Sequence, residues 1–524
     1  MMNHQLRQIG CQTSVKGKDF GSGIQDFNFQ VGGSTVWNPS KSFFAITMKL
    51  QTVVGGVLTA PTEAQQIALA DNACACLYDN ISVKGGGQDI SSLVSYCPQA
   101  SQLRQRVTKS GAWLNSQGKD VWGMDSSFKA RVAKVSNVDT PITELERVNV
   151  GTPGNEFSRT LSLAAASEIV TGVSTDFDGS LEFAANVVNN PNATIVPKVV
   201  VGDILIFPTV DAGYTKHVVT AVTGPTLLNI TPTPAADAAA NAEAYIARNM
   251  FTDTHKNTQT ILWKPPVGVF DTEKLGAGDY RVSLNPNSRY KQASVECVAN
   301  RTVAIDGALI ANAFDLEIID VKLYISLSTD DVKLSGVEQL FLNEQQLQSK
   351  PITGTENSMD FTVPPSTKML AFFVQSGTTG SDIRFPSTKF KSVNGYETSL
   401  ESFQLTYANT SRPSTRWASD FTSSNGVDGG VNTMTQRFHD TYSECGMSEL
   451  QGGTETYNDW LKRGPIFVYR FDTDSTDRST QVQLNIKFKS FISNTNVILC
   501  AFYSRTVEIG YENGMITEVR SLSV

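Results

Sequence analysis

The chain is short of charge, of histidine and of long apolar runs. Only 18% of its residues are Asp, Glu, Lys or Arg, and only four are His. No stretch approaches the ~18 to 20 apolar residues that a membrane-crossing helix needs. No cluster of Lys or Arg opens the chain: MMNHQLRQIG carries little charge, and the formal net charge is −8. A protein that grips nucleic acid through its phosphates needs a concentrated basic patch, so strong direct genome binding is not expected. The seven cysteines stand at irregular spacing, and Cys74-Ala-Cys76 is not a CxxC pair. Neither a zinc site nor a disulfide framework is read from them; buried reduced thiols are. That usage, with no secretory leader read at the start, fits the cytosol or nucleus. The N-x-[ST] sequons beginning at Asn192, Asn229, Asn300 and Asn409 are then read as chance.

Catalytic constellations are equally scarce. The histidines, His4, His217, His255 and His439, fall in no HExxH motif and in no His/Cys cluster. VKGGGQD lacks the Lys-Ser/Thr that closes a phosphate-binding P-loop and reads as a turn. No GxSxG elbow occurs with matching partners. Asp472, Asp474 and Asp477 crowd DTDSTDR, but no Gly or closing Glu completes a calcium loop, so a solvated hairpin loop is expected. No cofactor, metal or catalytic residue is assigned, and the chain is not read as an enzyme.

What is present is alternation. Val482, Leu484, Ile486 and Phe488 alternate with Gln483, Asn485 and Lys487, the period of a strand with one face in a core. Phe44, Ile46, Met48 and Leu50 do the same, as do Phe27, Phe29 and Val31. In LEIIDVKLYISLS, Ile319, Val321, Leu323, Ile325 and Leu327 are expected to share the inner face. The 39 Gly and 20 Pro are spread along the chain as turns between short strands. At 524 residues the chain exceeds one core.

The order of elements divides the chain. Residues 1–23 read as an N-terminal arm and 24–329 as a first β-sandwich. Within it, Pro98 opens a helix. Residues 164–249, rich in Ala, Val, Thr and Asn, form an inserted module: VVVGDILIF and HVVTAVTG supply strands, and AADAAANAEAYIARN supplies a helix. Residues 330–348 read as a partly helical connector using Val337, Leu340 and Phe341. Residues 349–524 repeat the logic, with helices at NTMTQRFHDTYSE and TETYNDWLKRG before the strands PIFVYRF, QVQLNIKF, NVILCAFY and TVEIGY. The fold class is all-β with a few short helices: two tandem eight-stranded sandwiches of jelly-roll size, with a small β/α module inserted in the first. The aromatic set Trp37, Phe43, Phe44, Trp113, Trp122, Trp263, Trp417 and Trp460 reads as core and interface anchors. Trp460, Pro465, Phe467 and Trp263 are the anchors singled out.

Three segments carry a resemblance. They are GGSTVWNPSKSFFAITMKLQ with LYDNISVKGGGQDISSLVSYCPQASQLRQRVTKSGAWLNSQG; ILWKPPVGVF with GDYRVSLNPNSRY; and MTQRFHDTYSECG with GGTETYNDWLKRGPIFVYRF and the closing strands. In these the chain resembles the double jelly-roll major capsid proteins of polinton-like viruses, virophages and adintoviruses, of the adenovirus and tectivirus lineage. The resemblance implies two jelly rolls standing side by side and a homotrimeric capsomer of pseudo-hexagonal outline that tiles an icosahedral shell. Residues 164–249 then form a tower on the outer face. The implied partners are other copies of the chain, penton and minor or cement proteins, and an internal membrane. The implied location is the virion, assembled in host cytoplasm or nucleus. A single jelly-roll shell or spike protein and a carbohydrate-binding β-sandwich protein are the alternatives, with a β-helical or sandwich hydrolase third because no carboxylate pair or nucleophile stands out.

Overall fold

The computed structural model describes the chain from His4 to Leu522. It leaves out the longer segments 13–19, 60–66, 124–159, 182–198, 232–244, 248–257, 298–313, 330–334, 377–399, 419–433 and 472–478, and shorter stretches, chiefly within 447–464.

Eight strands build the first sandwich: β1 (His4–Gly10), β2 (Gln25–Val31), β3 (Thr35–Val54), β4 (Tyr78–Gly85), β5 (Gln88–Leu93), β6 (Thr258–Trp263), β7 (Gly278–Pro286) and β8 (Phe314–Thr329). One sheet runs β1-β8-β3-β6 and the other β2-β7-β4-β5, with every pair antiparallel. Apart from the β4–β5 hairpin, which stays in one sheet, consecutive strands alternate between two facing layers, which is jelly-roll connectivity. Eight strands repeat it in the second sandwich: β9 (Gly336–Pro351), β10 (Glu356–Thr362), β11 (Thr367–Ser376), β12 (Leu400–Tyr407), β13 (Thr410–Ala418), β14 (Phe467–Arg470), β15 (Gln481–Phe488) and β16 (Thr495–Glu512). Their sheets run β9-β16-β11-β14 and β10-β15-β12-β13, the first order shifted by eight; β17 (Met515–Leu522) then folds back on β16.

The alternating positions enter the cores. Phe44, Ile46, Met48 and Leu50 are fully buried, and Val482, Leu484, Ile486 and Phe488 nearly so. VKGGGQD is the β4–β5 hairpin: Gly85 pairs with Gln88, and Gly86 and Gly87 take positive φ of 56° and 84°, which suits a two-residue turn of glycines. Helix α1 (Cys97–Thr108) has Pro98 in its first turn, as expected. Helix α2 (Met434–Glu444) covers MTQRFHDTYSE of the segment expected to be helical.

Four readings need correction. His4–Gly10 is not part of a free arm: it pairs along β8 as an edge strand of the first sandwich. Within 330–348, expected to be a partly helical connector, the residues from Gly336 on are strand: Gly336–Pro351 pairs along its whole length with β16, and 330–334 lie outside the described residues. NVILCAFY and TVEIGY are one strand, with no break between them. Ile319 and Leu327 lie off the inner face of β8, because irregularities at Ile318/Asp320 and Tyr324/Ser326 each shift the phase of the alternation. Ile318, Val321, Leu323 and Ile325 fill the core instead.

The inserted module is a sheet of its own. Six strands between Thr160 and Ala247 pair in one layer, and Ile204–Thr209 and Gly213–Gly224 form a hairpin within it. Leu205, Val219, Leu228, Ile230, Val170 and Phe177 make a core separate from the main one. Of the helix expected from AADAAANAEAYIARN, Tyr245–Ala247 is strand and most of the rest lies outside the described residues.

Candidate functional site

The two sandwiches share one continuous apolar core, which runs through the seam between them. The seam is built by an overhang. The first half of β9 and the second half of β16 run past the second sandwich, and β17 widens them. Leu340, Leu342, Val507, Ile509 and Tyr511 on one face of this overhang are buried. Against it the first sandwich sets β5, the start of β7 and the 3-10 turn Gly268–Asp271.

Two glycines make the close approach possible. A Cβ on Gly276 would run into the ring of Tyr511, and one on Gly268 would sit 3.0 Å from the Asn343 carbonyl oxygen. The Gly276 amide donates to the Tyr511 hydroxyl at 3.3 Å, and the Tyr280 hydroxyl donates to the Gly276 carbonyl at 2.7 Å. Ala277 and Met515 form a parallel bridge across the seam, and the Val519 amide donates to Gln88 Oε1 at 3.2 Å.

One buried carboxylate lies at the centre. Glu344, 3% exposed, accepts from the Ser91 hydroxyl and from the Gly268 amide at 3.2 Å. Burial raises its pKa above the ordinary carboxylate range, while those two donors and the nearby Arg505 and Arg104 pull it back. A charge kept in such a place must be hydrogen-bonded on every side, so it fixes how the halves mate. Beside it a cleft of about 550 Å³ runs along the seam between Arg104, Asp271, Glu344, Lys368, Arg470 and Tyr503. Arg104 is ion-paired with Asp271. Among the described residues no group of His, Cys, Asp and Glu could hold a metal ion. The six described cysteines are free thiols, and burial pushes the Cys445 pKa up to about 12, which leaves it without thiolate reactivity at neutral pH.

The four singled-out residues sit in two places, away from the seam cleft. Trp263 ends β6, 2% exposed, stacked on Tyr78 at 5.4 Å and near Phe44 at 5.8 Å. Trp460 is fully buried, on a helical turn whose amide bonds the Thr456 carbonyl. Its ring meets Phe438 of α2 at 5.6 Å and Phe467 of β14 at 6.1 Å. Pro465 is buried just before β14. The seam residues went unnoticed in the sequence: Ser91 and Glu344 are 253 positions apart, and nothing local marks either. Gly268, within WKPPVGVF, and Gly276, two residues before GDYRVS, were the available signal.

Exposed apolar groups mark two free faces. Val337 and Phe341 are 68% and 72% exposed on the outer face of the overhang. On the first sandwich, Leu6 is exposed beside a stacked pair, Phe43 and Tyr324, at 5.4 Å.

No family model matches the chain, and no curated protein matches it. Among solved structures it is similar to the Sputnik virophage structure determined by cryo-EM (8% identity, 99% of this chain and 88% of that one, TM-score 0.49). It is also similar to the Faustovirus major capsid protein (9% identity, 98% and 91%, TM-score 0.47). The mavirus major capsid protein is a third such structure (10% identity, 98% and 90%, TM-score 0.41).

Proposed function

We propose that this chain is a viral major capsid protein that acts by shape and burial, without catalysis, as a homotrimeric capsomer tiling an icosahedral shell. The observation that carries the reading is the seam. Two bodies of one topology meet through different surfaces, the overhang of one against the Gly268–Asp271 side of the other. Such a heterologous contact does not use itself up. The second sandwich keeps its own side around α2 and Trp460, and the first keeps the outer edge of β1 and β8 with Leu6, Phe43 and Tyr324. Repeating the contact between chains would join these leftover surfaces and close three chains into a ring of six bodies. Obligate contacts of this kind bury ~2,000–5,000 Å².

Within this reading Trp460, Pro465, Phe467 and Trp263 are packing anchors, and residues 164–249 are an outward tower. Penton, minor or cement proteins and an internal membrane complete the shell. The net charge of −8 suits a capsomer that leaves the genome to other components. Sedimentation equilibrium of the purified protein tests the assembly step. Particles of three chains are expected at micromolar concentration. A protein that stays monomeric, or that closes as a two-fold dimer, overturns the reading.

A further inference from the structure

Beside the seam, at the C-terminal end of α1, a second cavity of about 290 Å³ opens. Its wall is divided by chemistry. Arg104, Lys109 and Lys264 line one part, and Trp113, Trp122 and the Pro265-Pro266 pair line the other. Among the described residues the only carboxylate on the lining is Asp271, and it is already ion-paired with Arg104. Lys264 donates to the Ser40 carbonyl, and Lys109 lies 5.3 Å over the ring of Trp113; among the described residues neither lysine has a carboxylate partner. The cavity thus holds an excess of positive charge on a chain whose net charge is negative.

Such an arrangement is costly without an anion. Burial and the neighbouring Lys109 and Arg104 bring the Lys264 pKa down to about 8. Lys109 is lowered too, by burial and by Arg104. Three cations held together serve no packing purpose that apolar residues would not serve better. The helix end nearest the cavity is partly capped: the Thr108 hydroxyl and the Lys109 amide bond the Arg104 and Gln105 carbonyls. The two indoles, with centroids 6.4 Å apart and planes at 45°, offer an aromatic face next to the cations. A planar ring gains affinity by stacking on an indole, as bases do on the aromatic side chains of proteins that bind single-stranded nucleic acid. The volume lies just under the ~300–1,000 Å³ range of small-ligand sites, so it takes one compact ligand.

We infer that this cavity binds a phosphate monoester bearing a planar ring, of the size of a nucleoside monophosphate, with Lys109, Lys264 and Arg104 on the phosphate and Trp113 and Trp122 against the ring. The inference is independent of the capsomer reading.

The test uses the full chain at low salt, by calorimetry and by quenching of tryptophan fluorescence, with AMP, inorganic phosphate and adenosine as probes. AMP is expected to bind at least tenfold more tightly than either fragment. The double variant Lys109→Gln, Lys264→Gln should lose at least tenfold in AMP affinity, and Trp113→Phe should lose most of the quenching, with unchanged particle mass in both. Affinity should fall as pH rises through about 8, where Lys264 gives up its proton; the other charged groups that face it on the lining are Lys109, Arg104 and Asp271. No AMP binding at millimolar concentration, an affinity indifferent to the double variant, or adenosine or phosphate binding as well as AMP would each overturn the inference.

Discussion

The two sandwiches have the same strand order and differ in their edges and connections. In the first, the link from the fifth to the sixth strand carries α1 and a whole six-stranded module with its own core. In the second, the equivalent link carries α2 and the turn that buries Trp460. The opening strands differ as well: β1 spans His4–Gly10, whereas β9 spans Gly336–Pro351 and forms half of the overhang. One fold has been elaborated in the first sandwich by a long insertion with its own core and in the second by a long opening strand. The lesson is that the joint within the chain is built more heavily than any joint the first sandwich's shorter edge can offer a neighbour. Contacts between chains should therefore be weaker than the seam and open first under denaturant.

The strongest way to break the comparison is to remove one aromatic anchor from each half. Trp460→Ala and Trp263→Ala should each cost ~3–5 kcal/mol, the range for large core aromatics. Denaturation at fixed protein concentration measures both, since assembly itself shifts apparent stability. A loss below 1 kcal/mol at either site would mean that its ring is not an anchor. The indole N–H groups of Trp460 and Trp263 have no acceptor among the described residues. Phenylalanine at either position should therefore be tolerated much better than alanine.

A smaller effect isolates the seam. Gly276→Val drives a side chain into Tyr511 and should cost ~1–3 kcal/mol by overpacking. Gly33→Val, where a Cβ meets nothing, serves as the control. Limited proteolysis should find the seam variant cut between the sandwiches sooner than the parent; equal protection would show that the halves do not depend on this approach.

Glu344 sharpens the same point through pH. Its folded pKa is raised, chiefly by burial. The folded state then holds the proton more tightly than the unfolded state, so ionisation costs stability above the raised value. Below the ordinary carboxylate range both states are protonated and that cost vanishes. Relative to Glu344→Gln, the parent should gain ~1 kcal/mol, the scale of one buried hydrogen bond, as pH falls from neutral to about 4. A stability difference that is flat with pH would remove the carboxylate from the account. Smallest of all should be the loss of the module. Replacing 164–249 by a short Gly-Ser linker should leave the melting of the main body within ~0.5 kcal/mol, because long surface insertions add little closure entropy. An insoluble product would tie the module to the core.

The sandwich strands were legible wherever one face is buried and the phase holds, as from Val482 to Phe488. They were misread where burial changes sides. In β9, Leu340, Leu342 and Glu344 are buried on one face and Gln345 and Leu347 on the other, so no period of two survives and the stretch resembles a helix. In β8 two bulges move Ile319 and Leu327 off the core. The seam was not legible at all. Its partners are hundreds of residues apart, and a buried Glu looks like any surface Glu until its donors are seen. The cavity at Lys264 escaped for the same reason: its cations come from a helix, the residue after it and a distant strand end, and only folding gathers them.

Electron microscopy of the purified protein tests the central claim most directly. The account predicts class averages of a closed ring of three chains with six similar lobes and a near-hexagonal outline. Two-lobed single chains, or rings with any other number of lobes, would contradict it.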